Sequence, residues 1–327
     1  MSLPADFLTG ARRLIPPERL FDDPLSTLAF GTDASFYRLI PKLVVRVESE
    51  AEVVRLLHLA TRHKVPVTFR AAGTSLSGQA ISDSVLIVLG DYWNGREIRD
   101  GGNQIRLQPG VIGAQANAVL APLGRKIGPD PASINACKIG GIVANNASGM
   151  CCGTAQNSYQ TLAGMRLVLA DGTVLDSEDE RGVAAFRQSH GALLEQLAEL
   201  GRETRANTAL AERIRHKYRL KNTTGLSLNA LVDFDDPLDI LTHLMVGSEG
   251  TLGFISSVTY NTVLEYPHKA SALIVFPDVD TCCRAVPVLK QQPVAAVELL
   301  DRRSLRSVQN QPGLPGWVAA LSDGACA

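Results

Sequence analysis

Residues 70–79 (RAAGTSLSGQ) carry almost no side-chain bulk, yet they lie between two apolar runs, residues 65–69 (VPVTF) and Val85–Leu89 (VLIVL). Both runs have the length and the β-branched content of buried strands. A loop of Gly, Ser, Thr and Ala between such strands has nothing large to pack, so its backbone N–H groups need an acceptor. A bound phosphate supplies one, and small residues let it come close to the backbone. On these residues alone, a tight inter-strand turn competes with the phosphate reading.

The surroundings of the loop favour a ligand. Upstream, Leu43–Val47 (LVVRV) reads as a strand. Ser49 and Glu52 have capping-box spacing and open a helix to about His63, with Val53, Leu56, Leu57 and Ala60 on one face. Strand, helix, strand, loop and strand make a βαβ-type unit, and its loop falls past the C-terminal end of a strand, where α/β sheets bind ligands.

A second unit begins near Gln104, with a strand at residues 105–107 and a small-residue helix at 113–123. A long low-charge segment follows, residues 128–153 (GPDPASINACKIGGIVANNASGMCCG). A hairpin, residues 165–170 with Val174–Asp176, turns at Asp171-Gly172. Helices are expected at about 190–215 and a strand pair around 246–255. From Lys269 a new pattern reads as a strand at 270–276, a helix at 280–289 and a strand at 295–300, the start of a third unit. Residues 1–40 read as a proline-rich arm of short helices. The final residues, ALSDGACA, resemble the beginning of an unfinished strand, so truncation is expected.

Within the long segment, residues 138–149 (KIGGIVANNASG) form a second small-residue run. A closely packed buried helix accounts for its Gly and Ala but not for the paired amides of Asn145 and Asn146. Two small-residue cradles about seventy residues apart suit a ligand with a diphosphate and a long polar body. A third run, GSEGTLGFI from Gly247 to Ile255, carries Glu249 as its one charge. That carboxylate can accept from a ribose hydroxyl or a backbone N–H, or it is a solvated turn acid. In residues 217–225 (KYRLKNTTG), Lys217, Arg219 and Lys221 alternate, so an extended chain would turn all three to one side, toward an anionic substrate or a flavin carbonyl. A solvated basic edge is the alternative. His216 is a candidate site residue; His58 and His63 lie on the capped helix and read as structural.

Several function classes are excluded by composition and by missing motifs. A formal net charge of −1 gives no basic field for nucleic acid. No window reaches the ~18 uninterrupted apolar residues of a membrane span. The N-terminus has no apolar secretory core. The six cysteines include two pairs of sequence neighbours and no C-x-x-C, which disfavours a disulfide framework and a zinc site and points to a reducing, cytoplasmic setting. There is no G-x-G-x-x-G opening a helix, no P-loop, no H-E-x-x-H and no G-x-S-x-G elbow.

Taken together and in order, PVTFRAAGTSLSGQ, GPDPASINACKIGGIVANNASG, LVLADGT, KNTTG and GSEGTLGFI resemble the vanillyl-alcohol-oxidase-type (PCMH-type) FAD-binding fold. The similarity is greatest to its D-lactate and D-2-hydroxyglutarate dehydrogenase branch, and to the N-terminal part of the large bacterial versions that carry a fused iron–sulfur region. It covers roughly residues 30–305. The resemblance implies an α+β chain: an arm at 1–40, a two-subdomain FAD-binding domain at 41–265 (about 41–103 and 104–265), and the start of a substrate cap at 266–327. It implies that Ala71, Ala72, Gly73, Thr74, Ser75, Leu76, Gly78 and Gln79, with Gly140, Gly141, Asn145, Ser148 and Gly149, cradle the FAD diphosphate. Pro129, Ser133, Glu249 and Ile255 would lie along the flavin and adenosine portions. Some members tether the flavin through a histidine in the first loop; Gly73-Thr74-Ser75 has none, so FAD is expected to be non-covalent.

The implied activity is oxidation of a D-2-hydroxy acid, with electrons leaving to a quinone, a cytochrome or iron–sulfur centres. Glu298 and Asp301 match an acidic segment of the cap. The family's histidine and metal-ligating motifs and its iron–sulfur cysteines do not occur in these residues, so the catalytic residues are expected beyond Ala327 and the truncated chain is expected to be inactive. A flavin-binding module without turnover and an NADPH-dependent reductase on the same fold are the alternatives. The implied setting is the cytoplasm, with peripheral attachment to the inner membrane left open and no integral membrane segment.

Overall fold

A computed structural model describes residues 2–327 of the chain. The chain divides after Glu265 into a large unit and a small one, Tyr266–Ala327.

The large unit holds two sheets. In the first, Leu43–Val47 and Val67–Arg70 both run parallel to Val85–Leu89, which lies between them, and Leu20–Phe21 adds an antiparallel edge. Every residue of Val85–Leu89 is buried, as a central parallel strand requires. The Glu50–His63 helix covers one face, with Val53, Leu56, Leu57 and Ala60 inward. Its N-cap is Ser49, whose side chain accepts from the Glu52 N–H at 3.3 Å. The Glu52 carboxylate does not close the expected capping box. It accepts from the Glu48 N–H at 2.8 Å and pairs with Arg19 at 2.7 Å, which ties the N-terminal arm to the sheet.

The second sheet has five antiparallel strands around Gly253–Asn261, flanked by Gln104–Leu107 and Leu162–Leu169, with Arg96–Arg99 and Val174–Asp176 at the edges. Arg96–Arg99 pairs with Gln104–Leu107 in this sheet. The expected hairpin turns at Gly172, in the left-handed region at φ +84°. Helices Glu180–Ser189, Gly191–Ala206 and Thr208–Lys217 follow; the first of them was not expected from the sequence.

Aromatic packing and a half-buried ion pair join the two sheets. Phe254 of the second sheet packs against Phe69 and Trp93, with ring centroids 5.1 and 5.3 Å away. Glu50, in the first turn of its helix, takes two 2.8 Å hydrogen bonds from Arg166 on the second sheet and one of 2.5 Å from Ser256. Burial alone would raise the Glu50 carboxyl, but Arg166 and Ser256 outweigh it and hold it below the usual carboxylate range.

Three expected strands are corrected. Residues 246–252 form turns, and a single strand starts at Gly253 in place of a pair. In the small unit, residues 270–276 and 295–300 are not strands. Phe276 makes one isolated bridge to Cys326, and Leu300 exchanges two backbone hydrogen bonds with Ala327. Those short contacts give neither segment a ladder to join. The expected helix forms as Val279–Leu289, capped by Asp278. All six cysteines are free thiols.

Candidate functional site

Backbone geometry shapes the loop after Val67–Arg70. Gly73 (φ +71°) and Gly78 (φ +78°) occupy left-handed conformations that side chains resist, whereas Ala71 and Ala72 do not. Ser75 Oγ donates to Gln79 Oε1 and accepts from the Ser77 and Gln79 N–H groups at 3.3 and 3.4 Å. The N-terminal arm holds the loop from outside: the Ala34 N–H donates to the Gly73 carbonyl at 3.0 Å, and Asp33 accepts from the Ala80 N–H at 3.4 Å. Among the described residues, the backbone N–H groups of Gly73, Thr74, Ser75 and Leu76 donate to no protein group. Successive free N–H groups of this kind form an anion-binding concavity.

The facing wall is the helix Ile139–Asn145. Ile139, Ile142 and Val143 point into the core. Gly140 sits against Pro109, where an added Cβ would fall 2.7 Å from the Pro109 Cβ. Gly141 faces the other way, and the nearest atom to its Cβ position is the Ala71 Cβ at 3.8 Å. The segment is therefore both a packed helix and a cradle wall. Asn146 ends the helix in the left-handed region (φ +53°) and is buried; its Oδ1 accepts from the Tyr159 N–H at 3.3 Å.

A third element closes the space. Glu249, also left-handed at φ +53°, donates its backbone N–H to the Ala144 carbonyl at 2.8 Å. Its Oε1 accepts from Asn145 Nδ2 at 2.7 Å, and the same amide donates to the Thr223 carbonyl at 3.2 Å. Burial pushes the Glu249 carboxyl above its usual range, against hydrogen bonds from Asn145 and Gln79.

These elements enclose a cavity of about 650 Å³. Ala71, Ala72, Gly73, Thr74, Ser75, Leu76, Gln79, Ser133, Gly140, Gly141, Asn145, Ser148, Glu249 and Ile255 line it. Gly78, Pro129 and Gly149 do not. Gly78 turns the loop against Tyr37, Pro129 is buried, and Gly149 packs against the backbone of Asp130.

Two further expectations change. His216 is exposed on the last turn of Thr208–Lys217 and does not line the cavity. Lys217 ends that helix and Arg219 lies in the turn after it, so the alternation expected of an extended chain does not arise. Lys221 donates to the Gly149 carbonyl at 2.5 Å, while Thr223 and Thr224 reach the cavity. Phe69, Arg70, Lys138 and Phe254, none of them among the cofactor-binding residues expected from the sequence, also line the cavity. The first two end a strand whose apolar pattern suggests burial, and Lys138 was visible as the one charge opening the second cradle.

A volume of this size fits a large organic ligand. The free N–H groups and two small-residue walls fit a diphosphate, and Phe69, Phe254 and Ile255 add apolar surface. Comparison with known proteins agrees. A family model described as an FAD binding domain matches residues 41–178, and one described as the C-terminal domain of FAD linked oxidases matches residues 266–327. The chain carries an FAD-binding domain and a match to the C-terminal domain of FAD-linked oxidases. Among curated relatives, a D-2-hydroxyglutarate dehydrogenase of Haemophilus influenzae is 27% identical over 85% of the chain and 28% of its own length. Glycolate oxidase subunit GlcD of Escherichia coli K12 is 38% identical over 57% of the chain and 39% of its own length. The chain thus spans well under half of these relatives. Of solved structures, an alkyldihydroxyacetonephosphate synthase superposes with a TM-score of 0.63 over 99% of the chain and 56% of its own, at 16% identity. The 6-hydroxy-D-nicotine oxidase of Arthrobacter nicotinovorans gives 0.53 over 83% and 48%, at 17% identity. Those two likenesses establish the shared α+β FAD-binding fold. Among the described residues, no helix is long and apolar enough to cross a membrane.

Proposed function

We propose that this chain is the flavin-binding portion of an FAD-dependent dehydrogenase that oxidises a D-2-hydroxy acid, such as D-lactate or D-2-hydroxyglutarate, to the 2-oxo acid. The carrying observation is the convergence of the 70–79 loop, the Ile139–Asn145 helix and the Glu249 turn on one cavity. The names of the curated relatives, D-2-hydroxyglutarate dehydrogenase and glycolate oxidase subunit, support the substrate class. FAD supplies a two-electron acceptor when bound.

The chain's own residues bind and orient. The free N–H groups from Gly73 to Leu76 take the diphosphate, and Gly141 leaves it room. Asn145 holds the Glu249 carboxylate at the wall, where it can accept from a hydroxyl of the ligand. Lys138 and Arg70 bring cations to the cavity, which suits an anionic ligand. The loop offers no imidazole, and burial raises the Cys137 thiol, which keeps it protonated and a poor nucleophile; FAD is held non-covalently.

Anaerobic reduction tests the assignment. In the whole enzyme of which this chain is the flavin-binding portion, loaded with FAD, D-2-hydroxyglutarate or D-lactate is expected to bleach the flavin absorbance, while the L-enantiomers and NADPH leave it unchanged. Bleaching by NADPH alone, or by none of these compounds, would overturn the hydroxy-acid assignment.

A further inference from the structure

We propose that Arg70 is a diphosphate-binding residue, its side chain fixed beneath the loop with one guanidinium nitrogen left free for a phosphate oxygen. The proposal rests on the FAD reading above and assigns it a side chain in addition to the backbone cradle.

Arg70 is the last residue of its strand and is only 8% exposed, which is unusual for a charge. Its stem passes under Gly73, whose Cβ position lies 3.4 Å from Arg70 Cδ. Nε donates to the Ala80 carbonyl at 2.7 Å, which fixes the guanidinium across both ends of the loop. Nη2 is buried and has no hydrogen-bond partner. Asp33, whose charge acts on Arg70, already accepts from the Ser35 and Ala80 N–H groups. A loop brace requires Nε alone, so it leaves the free nitrogen unexplained. Leaving a buried charged donor unpaired costs free energy, and that cost disappears when an anion arrives. Arg70 also lines the cavity alongside the free N–H groups of Gly73 to Leu76. Burial lowers the guanidinium's proton affinity, partly offset by Asp33, but an arginine stays charged throughout the accessible pH range.

The test separates diphosphate recognition from bracing. Equilibrium binding of FAD, ADP and riboflavin is measured on the full chain and on Arg70→Gln and Arg70→Lys. ADP carries the diphosphate without the flavin, and riboflavin carries the flavin without phosphate. The expected result is a loss of roughly 10- to 100-fold for FAD and ADP in Arg70→Gln, a smaller loss in Arg70→Lys, and riboflavin binding within about twofold of wild type. Equal affinities for FAD, or equal losses for FAD and riboflavin, would overturn the proposal. If Arg70→Gln does not fold, Arg70→Lys decides by the same criterion. If neither folds, hydrogen exchange of the Arg70 guanidinium in wild type decides: protection by ADP but not by riboflavin supports the role, and equal exchange overturns it. A wild-type chain that binds no FAD would instead defeat the underlying reading.

Discussion

Gly141→Leu is expected to leave the chain folded and to abolish FAD binding. The Cβ position of Gly141 meets only the Ala71 Cβ, at 3.8 Å, an ordinary contact, so the protein itself has room for a side chain there. That room is the gap between the Ile139–Asn145 helix and the 70–79 loop. Leucine also favours a helix over glycine by up to about 1 kcal/mol, so thermal stability should hold or rise slightly. A leucyl side chain in the gap excludes the diphosphate, and affinity should fall at least ~100-fold, about 2.7 kcal/mol. Fluorescence titration with FAD, paired with a thermal melt, checks both halves. Wild-type affinity in a folded Gly141→Leu would show that this wall does not touch the ligand.

Gly149→Ala is expected to act in the opposite way, through the fold. An added Cβ would lie 1.8 Å from the Asp130 carbonyl oxygen and 2.4 Å from its carbonyl carbon. Both belong to the backbone, so no flexible tip can swing aside. Asp130 also fixes the next turn, accepting from the Cys151 and Cys152 N–H groups at 3.1 Å each. Overpacking against backbone should cost about 3 kcal/mol and lower Tm by on the order of 10 °C. FAD affinity should fall too, because Ser148 next to it lines the cavity. A melting temperature within about 2 °C of wild type would contradict this packing role.

The contrast between the two glycines shows what the sequence could and could not convey. Both stand in one small-residue run, and both were assigned to the cofactor cradle. Only the approach of Asp130, nineteen residues earlier, separates them. Local signals were otherwise dependable. Ser49 marked the start of its helix, the run VLIVL marked the central strand, and Asp171-Gly172 marked the hairpin turn. Each depends on residues within one or two turns of chain.

What the sequence hid was held by distant partners. A strand pair is expected around residues 246–255, yet Glu249 is held in a left-handed turn by the Ala144 carbonyl and the Asn145 amide, about a hundred residues away. Lys221 reads from the sequence as facing an anion or a flavin carbonyl, or as part of a solvated basic edge; in the fold it donates to the Gly149 carbonyl. Arg70 opened the most conspicuous motif and was still passed over, because a charge at the end of a buried strand gives no local sign that one of its nitrogens will lack a partner.

The central claim is that this cavity holds FAD without a covalent bond, and an FAD titration of the purified chain tests it most directly. The account predicts saturation at one FAD per chain, with the intact flavin released into solution by denaturant. No saturable binding, or flavin that stays on the polypeptide after denaturation, would contradict it.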